Sequence, residues 1–166
     1  MSSAVSTVHR TIEGVLLEDA LDFHSPSEGS FFVKIPGTHK LFTNVWLVAG
    51  AHSLLVEAFV CRRPDENHEE FQRFLLRRNA KMYAVAFSMD AAGDVYLVGR
   101  LPLHSVTPEE VDRLLGAVLE YADSTFDTLL ELGFSSAIRR EWLWRAKNGE
   151  STANLQAFAR FAAPDA

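Results

Sequence analysis

From Thr107 onward the sequence carries the pattern of a long amphipathic helix, and a helix of that kind is stable only when its apolar face is covered. Thr107 supplies an N-cap hydroxyl, and Pro108 suits the first helical position. Glu110 stands three residues past the cap, where a capping-box carboxylate belongs. Val111, Leu114, Leu115, Val118, Leu119, Ala122, Phe126, Leu129 and Leu130 then recur at three- and four-residue steps. This stripe requires a second layer, with Leu115, Leu119, Ala122 and Phe126 expected in the core. Gly133 reads as the C-cap.

The second layer is a sheet. Residues 31–35 are rich in β-formers and close at the Pro36-Gly37 turn pair. Residues 41–48 alternate, with Phe42, Trp46 and Val48 on one face and Leu41, Val45 and Leu47 on the other. Residues 53–61 set Leu55, Glu57 and Phe59 against Leu54, Val56 and Ala58, and the short connection between these two runs predicts a hairpin. Residues 83–89 and 95–101 form a second hairpin. Ahead of the strands, Val5, Val8, Ile12, Val15 and Leu16 mark a first helix, whose packing face Leu21 and Phe23 extend. Residues 24–29 break it. A second helix starts near Asn67, an N-cap with Glu70 three residues on, and carries Phe71, Phe74, Leu75 and Met82 on its apolar side. The expected fold is α+β: a five-stranded, mainly antiparallel sheet in the order α-β-β-β-α-β-β-α. A C-terminal helical extension over 134–166 follows, with a short helix at 138–147 and last turns around Leu155, Phe158 and Phe161.

A chain of 166 residues, 48% hydrophobic and 11% aromatic, can bury one substantial core. Its formal charge of -6 disfavours general nucleic-acid binding. Cys61 has no second cysteine to pair with, which fits a reducing compartment. The first thirteen residues lack a signal-peptide pattern, and no apolar run reaches the roughly 20 residues of a membrane helix. The expected location is the cytoplasm.

His9, His24, His39, His52, His68 and His104 are scattered, with no helical pair around a glutamate, and read as exposed histidines. Cys61 precedes Arg62 and Arg63, which would favour thiolate, yet no base or oxyanion motif accompanies it. A buried, small apolar role is the plainer reading. Phosphate-loop and nucleophile-elbow patterns are absent. No catalytic, metal or cofactor site is therefore expected. Glu109, Asp112, Glu120, Asp123, Asp127 and Glu131 lie opposite the apolar stripe of the third helix, either as a solvated face or as an acidic docking strip.

Two basic groups stand out against the acidic total. Arg73, Arg77 and Arg78 accompany Arg62, Arg63 and Lys81 around the second helix. Arg139, Arg140, Arg145 and Lys147 interleave with Trp142 and Trp144. Arginine and tryptophan are favoured interface residues, so these are the candidate partner-binding residues. The two tryptophans sit about 200° apart on an ideal helix, so one rigid face cannot bury both. The plainer alternative is a tail folded back on the sheet.

The element order, the Gly-Ser-Phe-Phe-Val run at 29–33, the Arg62-Arg63 pair after the third strand and the long Thr-Pro-Glu-Glu helix together resemble the YbjN-like family, over roughly residues 5–133. Its members are similar in fold to type III secretion chaperones, and the family is labelled a sensory-transduction regulator. The resemblance implies a chaperone-like domain over 1–133, with 134–166 packed on it. It further implies a bacterial homodimer that holds another polypeptide and carries no catalytic residues. The expected function is a non-enzymatic protein-binding module, chaperone-like or regulatory. The alternative is a small-molecule sensor or enzyme with a pocket between sheet and helices, built from Trp46, Tyr83, Tyr96 and nearby arginines.

Overall fold

Period-two alternation sorts the strand side chains onto two faces, and burial follows it closely. In the computed structural model, which describes residues 3–162, α1 (Ser3–Glu18) leads into β1 (Asp22–Ser27), β2 (Ser30–Pro36), β3 (Phe42–Ala49) and β4 (Ser53–Cys61). Next come α2 (His68–Asn79), β5 (Val85–Met89), β6 (Val95–Pro102) and α3 (Pro108–Asn148), with 3-10 segments at Leu103–Ser105 and Ala153–Ala162. The strand order is β1-β2-β3-β4-β6-β5, and every neighbouring pair is antiparallel. Phe23, Val33, Val45, Ala58, Leu97 and Phe87 form one rung across all of these strands. That rung belongs to a core shared with Ile12 and Leu16 of α1, Phe71 and Leu75 of α2, and Leu114, Val118, Ala122 and Leu129 of α3. The three helices therefore cover the same face of the sheet. Within the expected α3 stripe, Leu115 and Ala122 are buried, and Leu119 packs half-buried against the core.

Among the described residues the sheet has six strands rather than five. The additional strand, β1, takes in Phe23, expected on a helix face, and residues 24–27, expected in a loop. Pro26 argues against a strand interior, but β1 lies at the sheet edge, where a missing N–H breaks no ladder bond. Its register slips between His24 and Ser27. Gly29, at φ 80°, makes the return into β2.

Gly133 does not end the third helix. α3 continues to Asn148 and is capped by Gly149 at φ 67°, with a bend at Phe134 (φ -141°, ψ 15°). The cause is an exchange of hydrogen bonds with the lead-in to α2. Ser136 N–H and Leu132 C=O would pair with each other in an unbroken helix. Instead, Ser136 N–H donates to Glu66 Oε1 at 2.7 Å, and Leu132 O accepts from Asn67 Nδ2 at 3.1 Å. Gly133 O also accepts from Asp65 N–H at 2.9 Å. This spends the Asn67 side chain, so it does not cap α2 as expected: Asn67 sits at φ 53° and makes no cap bond. A Cβ on Gly133 would fall 2.8 Å from Pro64 Cβ, which forces a shift, and 3.0 Å from Phe71 Cε2, a tight contact. Beyond the bend, the 3-10 segment packs on α3, where Phe158 is buried and Arg160 pairs with Glu131. The Phe161 side chain lies outside the described residues.

The β2–β3 connection is tied down by one carboxylate. Asp123 Oδ1 accepts the N–H groups of Thr38, His39 and Lys40, each at 2.9 Å. His39 Nδ1 lies 2.7 Å from Asp127 Oδ2. Partial burial pushes the Asp123 carboxyl up, but the backbone bonds from Lys40, His39 and Thr38 outweigh it and hold it below its ordinary value of 3.8.

Two stability predictions follow from these junctions. Gly133→Val wedges a branched side chain against Pro64 and Phe71, and should cost about 1–3 kcal/mol in urea denaturation. Asp123→Ala removes the acceptor of three N–H groups and should cost about 1–2 kcal/mol at neutral pH, allowing for solvent access. Because the folded pKa is depressed, this contribution is present above the unfolded value and is lost as pH falls through the folded one. The gap between wild type and variant should therefore narrow in acid, as denaturation at pH 7 and pH 3 would measure.

Candidate binding surface

Among the described residues the outer face of the sheet carries no helix. Its central rung is His24, Phe32, Trp46, Glu57, Val98 and Ala86. Phe42, Trp46 and Phe59 are 36–42% exposed, an unusual state for large apolar side chains. They are arranged rather than scattered. Trp46 packs against Phe32 with ring centroids 4.8 Å apart, and Phe59 meets Tyr96 edge-on at 5.5 Å. Lys34 Nζ stands 3.9 Å over the Phe42 ring. The alternation of residues 42–48 put Phe42, Trp46 and Val48 on one side, but sequence reasoning did not single out that side as a surface. The signal was aromatic side chains recurring on the same face of adjacent strands.

The two edges of the sheet differ. β1 is blunted by Pro26 and its register slip. β5 is regular, with Ala86 and Ser88 exposed. Leu76 of α2, 70% exposed, borders a notch with Leu75, Phe87 and Met89 beside that edge.

The expected partner-binding residues fall into two separate places. Arg73, Arg77 and Arg78 lie on α2. Arg73 is paired with Glu69 at 2.5 Å and Glu70 at 2.6 Å, and Arg77 lines a surface notch with Leu76. Arg139, Arg140, Trp142, Trp144 and Arg145 lie on α3 beyond the bend. Trp142 is half-buried, while Leu143 and Trp144 are each 56% exposed. Arg145 holds Glu141 at 2.5 Å and Ser151 O at 2.9 Å. The residues suggested for an internal pocket do not converge. Trp46 and Tyr96 face outward, whereas Tyr83 donates to Glu110 of α3. Half of the acidic row is engaged as well, Asp123 by the β2–β3 connection, Asp127 by His39 and Glu131 by Arg160.

A groove of about 460 Å³ opens where β4 meets the bent part of α3, lined by Lys40, Phe59, Cys61, Phe126, Leu130, Phe134 and Ile138 among others. Phe126, expected in the core, is half-buried on its wall. Of the histidines, His9 stacks on Phe31 at 4.7 Å, and its Nδ1 accepts Gly29 N–H at 3.0 Å. His24, expected in a loop, lies on β1. Among the described residues no three His, Cys, Asp or Glu side chains are placed to hold a metal ion, and no helix is long and apolar enough to cross a membrane.

Residues 9–131 match the YbjN family, described as "Putative bacterial sensory transduction regulator". The chain belongs to the YbjN family. An uncharacterized protein of Mycobacterium tuberculosis is 52% identical over 164 residues, covering 96% of this chain and 90% of the relative. One of Mycobacterium leprae is 58% identical over 127 residues, covering 76% and 69%. The fold is that of type III secretion chaperones. The crystal structure of the ExsC–ExsE complex matches at a TM-score of 0.58 and 21% identity, over 78% of this chain and 97% of that one. The Yersinia pestis chaperone SycH, in complex with a stable fragment of YscM2, matches at 0.53 and 14% identity, over 72% and 98%.

In this YbjN chain Cys61 is 6% exposed. Burial pushes its thiol up to about 12, against the opposing pull of Lys40. The neighbouring arginines expected to activate it do not win, because Arg62 turns to Asp65 at 2.7 Å. A group buried and protonated in this way is a poor nucleophile. Cys61 should therefore resist Ellman's reagent at pH 8 in the native protein and react fully in guanidinium, as absorbance kinetics would show.

Proposed function

We propose that this protein is a non-enzymatic polypeptide-binding module, chaperone-like or regulatory, which works as a homodimer in the bacterial cytoplasm. The observation that carries this reading is the uncovered outer face of the sheet. Phe42, Trp46 and Phe59 are exposed there beside Phe32 and Tyr96, and the C-terminal segment that would have covered them packs on α3 instead. Ordered exposed aromatics on a rigid sheet suit a partner that buries them. The chaperone-fold neighbours captured with bound polypeptides add support.

The second copy docks along β5 in this reading. At the middle of that edge the Asn79 side chain pairs with the N–H and C=O of Phe87, so the contact is one of side chains, and Leu76 and Met89 flank it with apolar surface. Arg73, Arg77 and Arg78 then border the dimer, while Arg139, Arg140, Trp142, Trp144 and Arg145 remain available to the polypeptide partner. Residues 1–133 form the chaperone-like unit and 134–166 an extension of it. The M. tuberculosis relative, whose similarity spans 96% of this chain, supports keeping the two together.

Light scattering should give twice 18.5 kDa for wild type and 18.5 kDa for Leu76→Glu at micromolar concentration. Trp46→Glu should keep the dimer and the melting temperature, yet lose the polypeptides that wild type retains in a pull-down quantified by mass spectrometry. A monomeric wild type would remove the dimer, and undiminished capture by Trp46→Glu would remove the sheet face as the docking site.

A further inference from the structure

The groove between β4 and the bent part of α3 has the size of a small-ligand site, about 460 Å³, and its walls are mostly aromatic and aliphatic. Its charged groups differ in how they are engaged. Arg62 is held by Asp65 at 2.7 and 3.1 Å, with its guanidinium 4.5 Å over Phe134. Glu141 is held by Arg145. Lys40 has no such partner. Its ammonium stands 5.2 Å from the Phe126 ring centroid and 5.8 Å from that of Phe59, and among the described residues no carboxylate pairs with it. Its backbone N–H is fixed on Asp123, so the side chain is anchored at the groove mouth. Burial draws the ammonium below its ordinary value of 10.5, the direction expected of a cation short of a counter-charge.

We propose that this groove binds an apolar carboxylate, an acid on a linear hydrocarbon stem, with its head on Lys40 and its stem along Phe126, Leu130 and Phe134. Charge complementarity selects the head, since an anion restores what the desolvated ammonium lacks. The lining selects the stem. A peptide is the poorer occupant, because β4 is already paired on both sides, with β3 and β6, and offers no free ladder to a second backbone. The site is distinct from the polypeptide surface proposed above: Phe59 borders both, but Trp46 does not line the groove.

The test uses the full chain, with decanoate and decylamine as probes at matched concentrations below micelle formation. Decanoate should bind saturably and shift the amide resonances of residues 59–62 and 126–138, while decylamine binds at least about tenfold more weakly. Lys40→Met, which keeps the apolar stem, should erase that preference, and Lys40→Arg should keep it. If Lys40→Met does not fold, the comparison of the two probes on the unaltered protein decides. Equal affinity for the two probes, shifts confined to another surface, or no saturable decanoate binding would overturn the proposal. So would binding of the capped peptide Leu-Phe-Glu-Leu in the groove without decanoate binding. Trp46→Glu should leave decanoate affinity unchanged, which separates failure here from failure of the polypeptide reading.

Discussion

The exchange of hydrogen bonds between α3 and the lead-in to α2 aims the part of α3 that follows residue 132. A straight helix would carry Phe134, Ile138 and Trp142 along the axis of the preceding turns. Because Leu132 O is given to Asn67 and Ser136 N–H to Glu66, the helix bends with both of these groups still hydrogen-bonded. Gly133 permits it by letting Pro64 and the Phe71 ring come within reach of the backbone. The bend turns Phe134 and Ile138 toward β4, which makes the groove, and leaves Leu143 and Trp144 exposed beyond it. One local trade of partners thus links α2, α3 and the candidate sites at the C-terminal end.

The second organising fact is one-sided cover. A sheet with apolar residues on both faces needs two layers, or a partner, to hide them. Here α1, α2 and α3 share one core, and the 3-10 segment near the C-terminus lies on α3. The outer aromatics satisfy one another only in part. The Phe32–Trp46 contact and the Lys34–Phe42 contact lower the cost of exposure but leave Trp46 42% exposed. That remaining surface, rather than any catalytic geometry, is the feature of the fold for which a binding partner is the simplest account.

Legibility followed the range of the interactions. The α3 start was readable because its determinants are local: Thr107 Oγ1 does accept Glu110 N–H, at 3.2 Å, as the spacing implied. The faces of β2, β3 and β4 were readable because alternation is intrinsic to strands. β1 was hidden because its polar residues and Pro26 carry a loop signature, and only its position at the edge makes a strand of them. Asn67 and Gly133 carried correct local signals for a cap and a stop. Each was overridden by a contact 65 or more residues away in sequence, which no local pattern encodes. Lys40 escaped notice for the same reason: nothing beside it in the chain marks it as lining a groove with Phe126.

The acidic row of α3 shows how a structural device and a candidate site become coupled. Read alone, Asp123 and Asp127 suggest a surface for a basic partner. Instead Asp123 receives three consecutive N–H groups, and one of these belongs to Lys40. The same carboxylate that closes the β2–β3 connection therefore fixes the backbone from which the Lys40 ammonium extends to Phe126 and Phe59. Gly37 belongs to the arrangement, since a Cβ there would lie 2.5 Å from Asp123 Oδ1. A negative charge on the helix thus orders a loop whose positive charge faces away from it, into apolar surface. The electrostatic attraction is spent on the backbone, and the side-chain cation is left at the groove without a counter-charge among the described residues.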